Sequence, residues 1–203
     1  MQLKGVIARE ILDSRGEKTI EISIGKQKTS APAGKSTGKH EKASYKDNLA
    51  QDIDFINKLN FSKLPQIKKF KDLDILEKII RKEIGANTLF ALEATILKVL
   101  AKESKKELWT IVSETTGRIK IPLLISNTIG GGVHSSGKRK PDFQEFLVIG
   151  KENQNLQAYR EAGELIKSSK TNDEHAWQTS IGNESVLEVM KFAKMRIGVD
   201  MAS

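Results

Sequence analysis

APAGKSTGKHE, residues 31–41, sets Lys35, Ser36, Thr37, Lys39 and His40 among small residues. Gly34 and Gly38 permit positive φ and close backbone approach, while the hydroxyls and cations suit phosphate, carboxylate or a metal. A core element has no use for such a composition, so the stretch reads as a binding loop. Its GKST also closes the nucleotide phosphate-loop pattern G-x-x-x-x-G-K-[ST]. That pattern needs a glycine at 29, where Thr29 stands, and a long helix directly after Ser36, where no helical period begins. A nucleotide-binding protein is therefore the weaker alternative, beside a plain surface turn.

Outward from this loop the hydrophobic period decides the fold class. On the N-terminal side, Leu3, Gly5 and Ile7 alternate with Lys4, Ala8 and Arg9, and Ile20, Ile22 and Ile24 alternate with Thr19, Glu21 and Ser23. Period two predicts half-buried strands, turned at Asp13–Gly16 and reversed at Gly25 into a short third strand that delivers the loop. On the C-terminal side the spacing becomes three or four. Leu49, Ile53, Ile56 and Leu59 predict one helix, Leu73, Leu76, Ile79 and Ile80 a second, and Leu89, Leu92, Ile96, Val99 and Leu100 a third. A fourth helical segment near Glu107–Thr115 carries Trp109, expected in the core. After Ile121 short apolar runs alternate with amphipathic helices: LLISNTI, FLVIG, a helix through Tyr159 and Ala162, VLEVMKFAKM and RIGVDMA. Such alternation predicts a β/α arrangement.

Composition bounds the function classes. The 203 residues are 38% hydrophobic, enough for a real core, and contain no cysteine, which excludes disulfides, thiolate zinc sites and a cysteine nucleophile. A reducing cytosol is compatible with that. No apolar run is long enough for a membrane span, and MQLKGVIARE lacks the apolar core of a signal peptide. The net charge of +8 would permit nucleic-acid binding, but the lysines are dispersed and aromatics are only 5%, leaving little for base stacking, so no nucleic acid is expected. The densest basic cluster, GKRKP at 137–141, could instead serve an anionic ligand, or be a solvated loop tip.

Seven ordered blocks carry a family resemblance: AREILDSRG from Ala8, PAGKSTGKHE from Pro32, IGANTLFALEA from Ile84, NTIGGGVH from Asn127, FQEFLVIG from Phe143, NDEHAW from Asn172 and IGVDMAS from Ile197. Taken together they resemble the enolase family. The resemblance implies an α+β N-terminal domain, an antiparallel meander followed by helices, over residues 1–119. It implies the first β/α units of an incomplete enolase-type TIM barrel over residues 120–203, since only about 80 residues follow Ile121 and a complete barrel takes roughly 250.

The implied activity is dehydration of 2-phosphoglycerate to phosphoenolpyruvate, a cytoplasmic step of glycolysis and gluconeogenesis that uses Mg2+. A carbon acid beside a carboxylate loses its proton to a base, and hydroxide then leaves with help from an acid. Matched by motif, Glu174 is the proton donor and Glu145 the carboxylate sharing that task. Gln144, Glu145 and the loop residue His134 contact substrate, and Asp200 and Ser36 are magnesium ligands. Glu145 and Asp200 are each expected to end a strand, in keeping with chemistry at strand C-termini. Asn172 and His175 depart from the family's tight turn around the Asp-Glu pair, and are expected to misplace Glu174. The base lysine and two further acidic ligands would lie beyond Ser203, so the expectation is a truncated chain, inactive by itself and a homo-oligomer at full length. The other reading is a complete, non-catalytic enolase-like protein for binding or assembly.

Overall fold

The computed structural model describes residues 3–32, 34, 38–113, 120–136, 139–172 and 174–201, the side chain of His134 excepted. The chain divides into two compact units, Met1–Gly117 and Arg118–Ser203.

The first unit opens with an antiparallel sheet of β1 (Val6–Leu12), β2 (Lys18–Ile24) and β3 (Gln27–Ser30), in that order. β2 is the central strand, and its Ile20, Ile22 and Ile24 are buried, as period two requires. Among the described residues four α-helices follow: α1 (Leu49–Lys58), α2 (Leu73–Ile80), α3 (Ala86–Glu103) and the short α4 (Leu108–Val112). Asn48 caps α1, its side chain accepting from Gln51 N at 3.0 Å. The isoleucines of β2 join Ile56, Leu76, Ile80, Leu92 and Ile96 in one core.

Polar side chains fasten what burial alone would leave loose. Asn57 on α1 donates to Ala8 O and accepts from Ala8 N, at 2.9 and 2.8 Å, pairing backbone on the outer edge of β1. Asp52, 1% exposed, accepts from Thr88 Oγ1 at 2.6 Å, Gly85 N at 2.8 Å and Lys46 N at 3.2 Å, tying α1 to the start of α3. Across the sheet, burial would raise the Glu21 carboxyl, yet Arg9 at 2.6 Å and Lys28 at 3.4 Å hold it below its ordinary value.

Two expectations change in this unit. Trp109 is 49% exposed rather than in the core, because α4 is a single short turn of five residues whose Ile111 alone packs against the core cluster. The first helix after the 31–41 loop begins only at Leu49, so the helix N-terminus that a phosphate loop requires at that point is missing. Lys35, Ser36 and Thr37 lie outside the described residues.

The second unit is a four-stranded mixed sheet in the order β6-β4-β5-β7, formed by β4 (Leu124–Gly130), β5 (Glu145–Gly150), β6 (Trp177–Gln178) and β7 (Arg196–Asp200). Two helices, α5 (Glu152–Leu165) and α6 (Asn183–Lys191), complete it. The simple β/α reading needs correction. β4 is parallel to β6, but β5 runs antiparallel to both β4 and β7. Between β4 and β5 the described residues form a 3-10 turn at Gly132–His134 and no crossover helix, and the chain returns in the opposite direction.

Register partners on neighbouring strands share a face. Phe146 and Val148 of β5 and Ile129 of β4 are fully buried with Ala158 and Ala162 of α5 and Val186 and Met190 of α6. The opposite face carries the rows Ile125–Ile149–Arg196, Asn127–Leu147–Gly198 and Gly130–Glu145–Asp200. Ile125 is 65% exposed there. An irregularity between Asn127 and Ile129 shifts the β4 register, bringing Gly130 opposite Glu145.

Candidate functional site

Because β5 is inverted, Glu145 begins its strand while Asp200 ends β7, and the two are register partners at the same end of the sheet. The expectation that both would end strands was half right: the inversion brings them together. The backbone ladder continues past them, with Gln144 N donating to Asp200 O at 2.9 Å and Gly131 N to Gln144 O at 2.9 Å. Gln144 therefore sits directly before the acidic row. Gly131 could not be another residue, since a Cβ there would lie 2.2 Å from Phe143 O.

Glu174 comes from the loop between α5 and β6. Asn172 is buried and its Oδ1 accepts from Glu174 N at 3.0 Å and Ala176 N at 2.9 Å, while Asn172 N donates to Ala176 O at 2.8 Å. The residue expected to disturb this turn instead builds it, because an Asn side chain can close a turn by accepting from the backbone two residues on. His175 takes the left-handed conformation, φ 64°, that a glycine would adopt at lower cost. Tyr159 of α5 donates to His175 O at 2.8 Å and stacks on Trp177, whose Nε1 donates to Tyr159 O at 2.8 Å. Burial pushes the Tyr159 hydroxyl up from its ordinary pKa, keeping it a donor.

The same loop reaches the open sheet face. Asn127 Nδ2 donates to Glu174 Oε2 at 3.4 Å, a long bond, with the Glu174 carboxylate exposed. Asn172 lies against Gly130, where a Cβ would be 2.3 Å from its Nδ2. Asn127 Oδ1 and Asn172 Nδ2 are buried without a hydrogen-bond partner among the described residues, polar capacity that costs about 1–3 kcal/mol per atom if left unmade. One end of the open face thus gathers Glu174 on Asn127 and the Gly130–Glu145–Asp200 row.

The family model described as Enolase, N-terminal domain, matches residues 3–112, over half of the chain. The chain belongs to the enolase family. It is 28% identical to the enolase of Methanothermobacter thermautotrophicus over 94% of this chain and 52% of that protein. Against the enolases of Pyrococcus furiosus and Thermococcus kodakarensis it is again 28% identical, over 73% of this chain and 38% of each. The chain spans about half the length, or less, of these curated relatives.

Within the enolase reading, Ser36 lies outside the described residues, and His134 is described only as backbone in its 3-10 turn. Among the described residues no group of three acids or histidines could hold a metal ion. Magnesium demands near-octahedral oxygen coordination, so Glu145 and Asp200 by themselves do not make a fitting site. Tyr159 was read in the sequence only as a helix residue, and Trp177 only as the end of the NDEHAW block. Asn127 opens the NTIGGGVH block, and its polar character on an apolar strand was the signal available.

Proposed function

We propose that this chain contributes to an enolase-type dehydration of 2-phosphoglycerate to phosphoenolpyruvate. The observation that supports the reading best is the convergence of Glu145 and Asp200 on register, with Glu174 anchored to Asn127, on the sheet face opposite α5 and α6. In this reading Glu174 gives its proton to the departing hydroxide. The C–O bond breaks, its electron pair stays with oxygen, water leaves, and Glu174 remains as a carboxylate. Glu145, on the same face, shares that task, Gln144 and His134 contact the substrate, and Asp200 with Ser36 would contribute to holding a magnesium ion.

The 203-residue polypeptide does not complete this chemistry unaided, because its described acids fall short of a magnesium site and no lysine in it matches the family's base. Phosphoenolpyruvate absorbance, followed with magnesium and 2-phosphoglycerate, tests this. Turnover by a verified 203-residue preparation that vanishes in Glu174→Gln would show the chain to be sufficient and overturn the second claim while upholding the first. Turnover unchanged by Glu174→Gln would overturn the role of Glu174.

A second reading, a binding or assembly role, draws on the open face, where Ile125 and the half-buried Leu147 and Ile149 leave apolar surface at the sheet. Analytical ultracentrifugation tests it, with a concentration-dependent dimer lost in Ile125→Lys as the supporting result.

A further inference from the structure

The second unit holds an open basin of about 460 Å³ on the β6 side of the sheet, between the end of α5, the loop after β4 and the segment after β6. Arg139, Lys167 and Lys170 line it, with no acidic side chain among its described lining residues. Arg139 belongs to the basic cluster 137–141; the fold brings to it two lysines from about thirty residues further along. None of the three makes an ion pair with a described residue. Three cations around one concavity repel one another, and an anion bound among them would reverse the sign of that interaction.

The walls are already tied, while several donors are not. Ser168 Oγ donates to Gln178 O at 2.6 Å, Ser136 Oγ to Gln178 Oε1 at 3.0 Å, and Gln178 Nε2 to Thr171 O at 3.0 Å. The hydroxyls of Ser169 and Ser180, also in the lining, make no hydrogen bond to a described residue. Separate ammonium, guanidinium and hydroxyl donors around a small basin match a compact oxyanion with several acceptor oxygens and about two negative charges. We propose that this basin, whose lining includes neither Glu145 nor Asp200, binds a small phosphate-bearing anion.

Lys167 closes α5 in the left-handed conformation, φ 52°, with Lys167 N donating to Glu164 O and Ser168 N to Gly163 O, both at 3.1 Å. A lysine at a helix C-terminus is favourable against the helix dipole with no ligand at all. Lys105 and Lys194 occupy left-handed positions after α3 and α6, φ 54° and 50°, and do not line the basin. They are matched controls, because each lysine-to-glycine change removes one charge and one strained φ.

The test is a titration of the ¹⁵N-labelled 203-residue chain with inorganic phosphate, and separately with glycerol phosphate, against chloride at equal ionic strength. Saturable amide shifts at residues 167–170 and 179–181 are expected from at least one phosphate probe and not from chloride. Lys167→Gly should weaken that binding about 5-fold or more, the loss of one charge-assisted hydrogen bond, while thermal stability without phosphate stays level or rises. Lys105→Gly, Lys194→Gly and Glu145→Gln should leave the affinity within about 2-fold, below the effect of one such bond. Shifts that never saturate, that chloride reproduces, or that Lys105→Gly and Lys194→Gly weaken equally would overturn the site. A change beyond that on Glu145→Gln, tighter binding above all, would put the anion beside the acidic row and overturn the assignment to the basin.

Discussion

The two units solve the same problem, covering a sheet, with different completeness. In the first, β2 is buried against helices, Asn57 pairs the backbone of the β1 edge, and Asp52 locks α1 to α3. In the second, α5 and α6 cover one face among the described residues, and the other carries both apolar side chains and the acidic row. Asn172 does for the Glu174 loop what Asp52 does for the first unit, yet its Nδ2 amide makes no hydrogen bond among the described residues. Polar groups that are fully satisfied hold a scaffold still; a buried one left without a partner costs stability.

The largest test of this contrast compares the two faces of one strand system. Phe146→Ala, deleting a fully buried ring on the helix-covered face, should cost about 3–5 kcal/mol in urea denaturation. Ile125→Ala on the open face should cost under about 1 kcal/mol, the scale of a partly exposed position. Comparable losses would mean that the open face is as tightly packed as the covered one, and the contrast would fail.

Next in size is Asp52→Ala, which leaves Gly85 N and Thr88 Oγ1 unpaired in the core and should cost about 2–4 kcal/mol. Hydrogen exchange read separately over Met1–Gly117 and Arg118–Ser203 should show faster exchange in the first unit alone. Equal acceleration in both would show the units unfolding as one.

The smallest effect concerns Glu93 on α3, whose burial, followed by the nearby charges of Glu77 and Asp74, raises its pKa from the ordinary 4.5 to about 7. The folded state therefore keeps a proton that the unfolded state releases from about pH 4.5 upward. Stability from this group is full below about 4.5 and is lost as pH rises through about 7. Allowing for solvent screening of a half-buried group, Glu93→Gln should stabilise the chain by about 1–2 kcal/mol at pH 8 and by nothing measurable at pH 4. A gain independent of pH would point to packing rather than charge.

Much was legible because it is written in local spacing. Period-two isoleucines marked β2, three-and-four spacing marked the helices, and ordered motif blocks marked the enolase family, each readable without knowing what any residue touches. Trp109 was misread for the complementary reason: hydrophobicity says what a side chain prefers, whereas burial depends on whether a neighbour arrives to cover it, and five residues of α4 cover too little.

By itself, then, the chain's sequence determined the order and type of most elements, the family, and which residues carry chemical groups worth locating. Only the tertiary structure decided that β5 runs backwards and sets Glu145 beside Asp200, that Asn172 builds the turn behind Glu174, and that Arg139 shares a basin with Lys167 and Lys170. The physical reason is range: periodicity and turn chemistry act between residues a few positions apart, while strand direction, register and the meeting of distant charges follow from which long-range packing buries the most apolar surface.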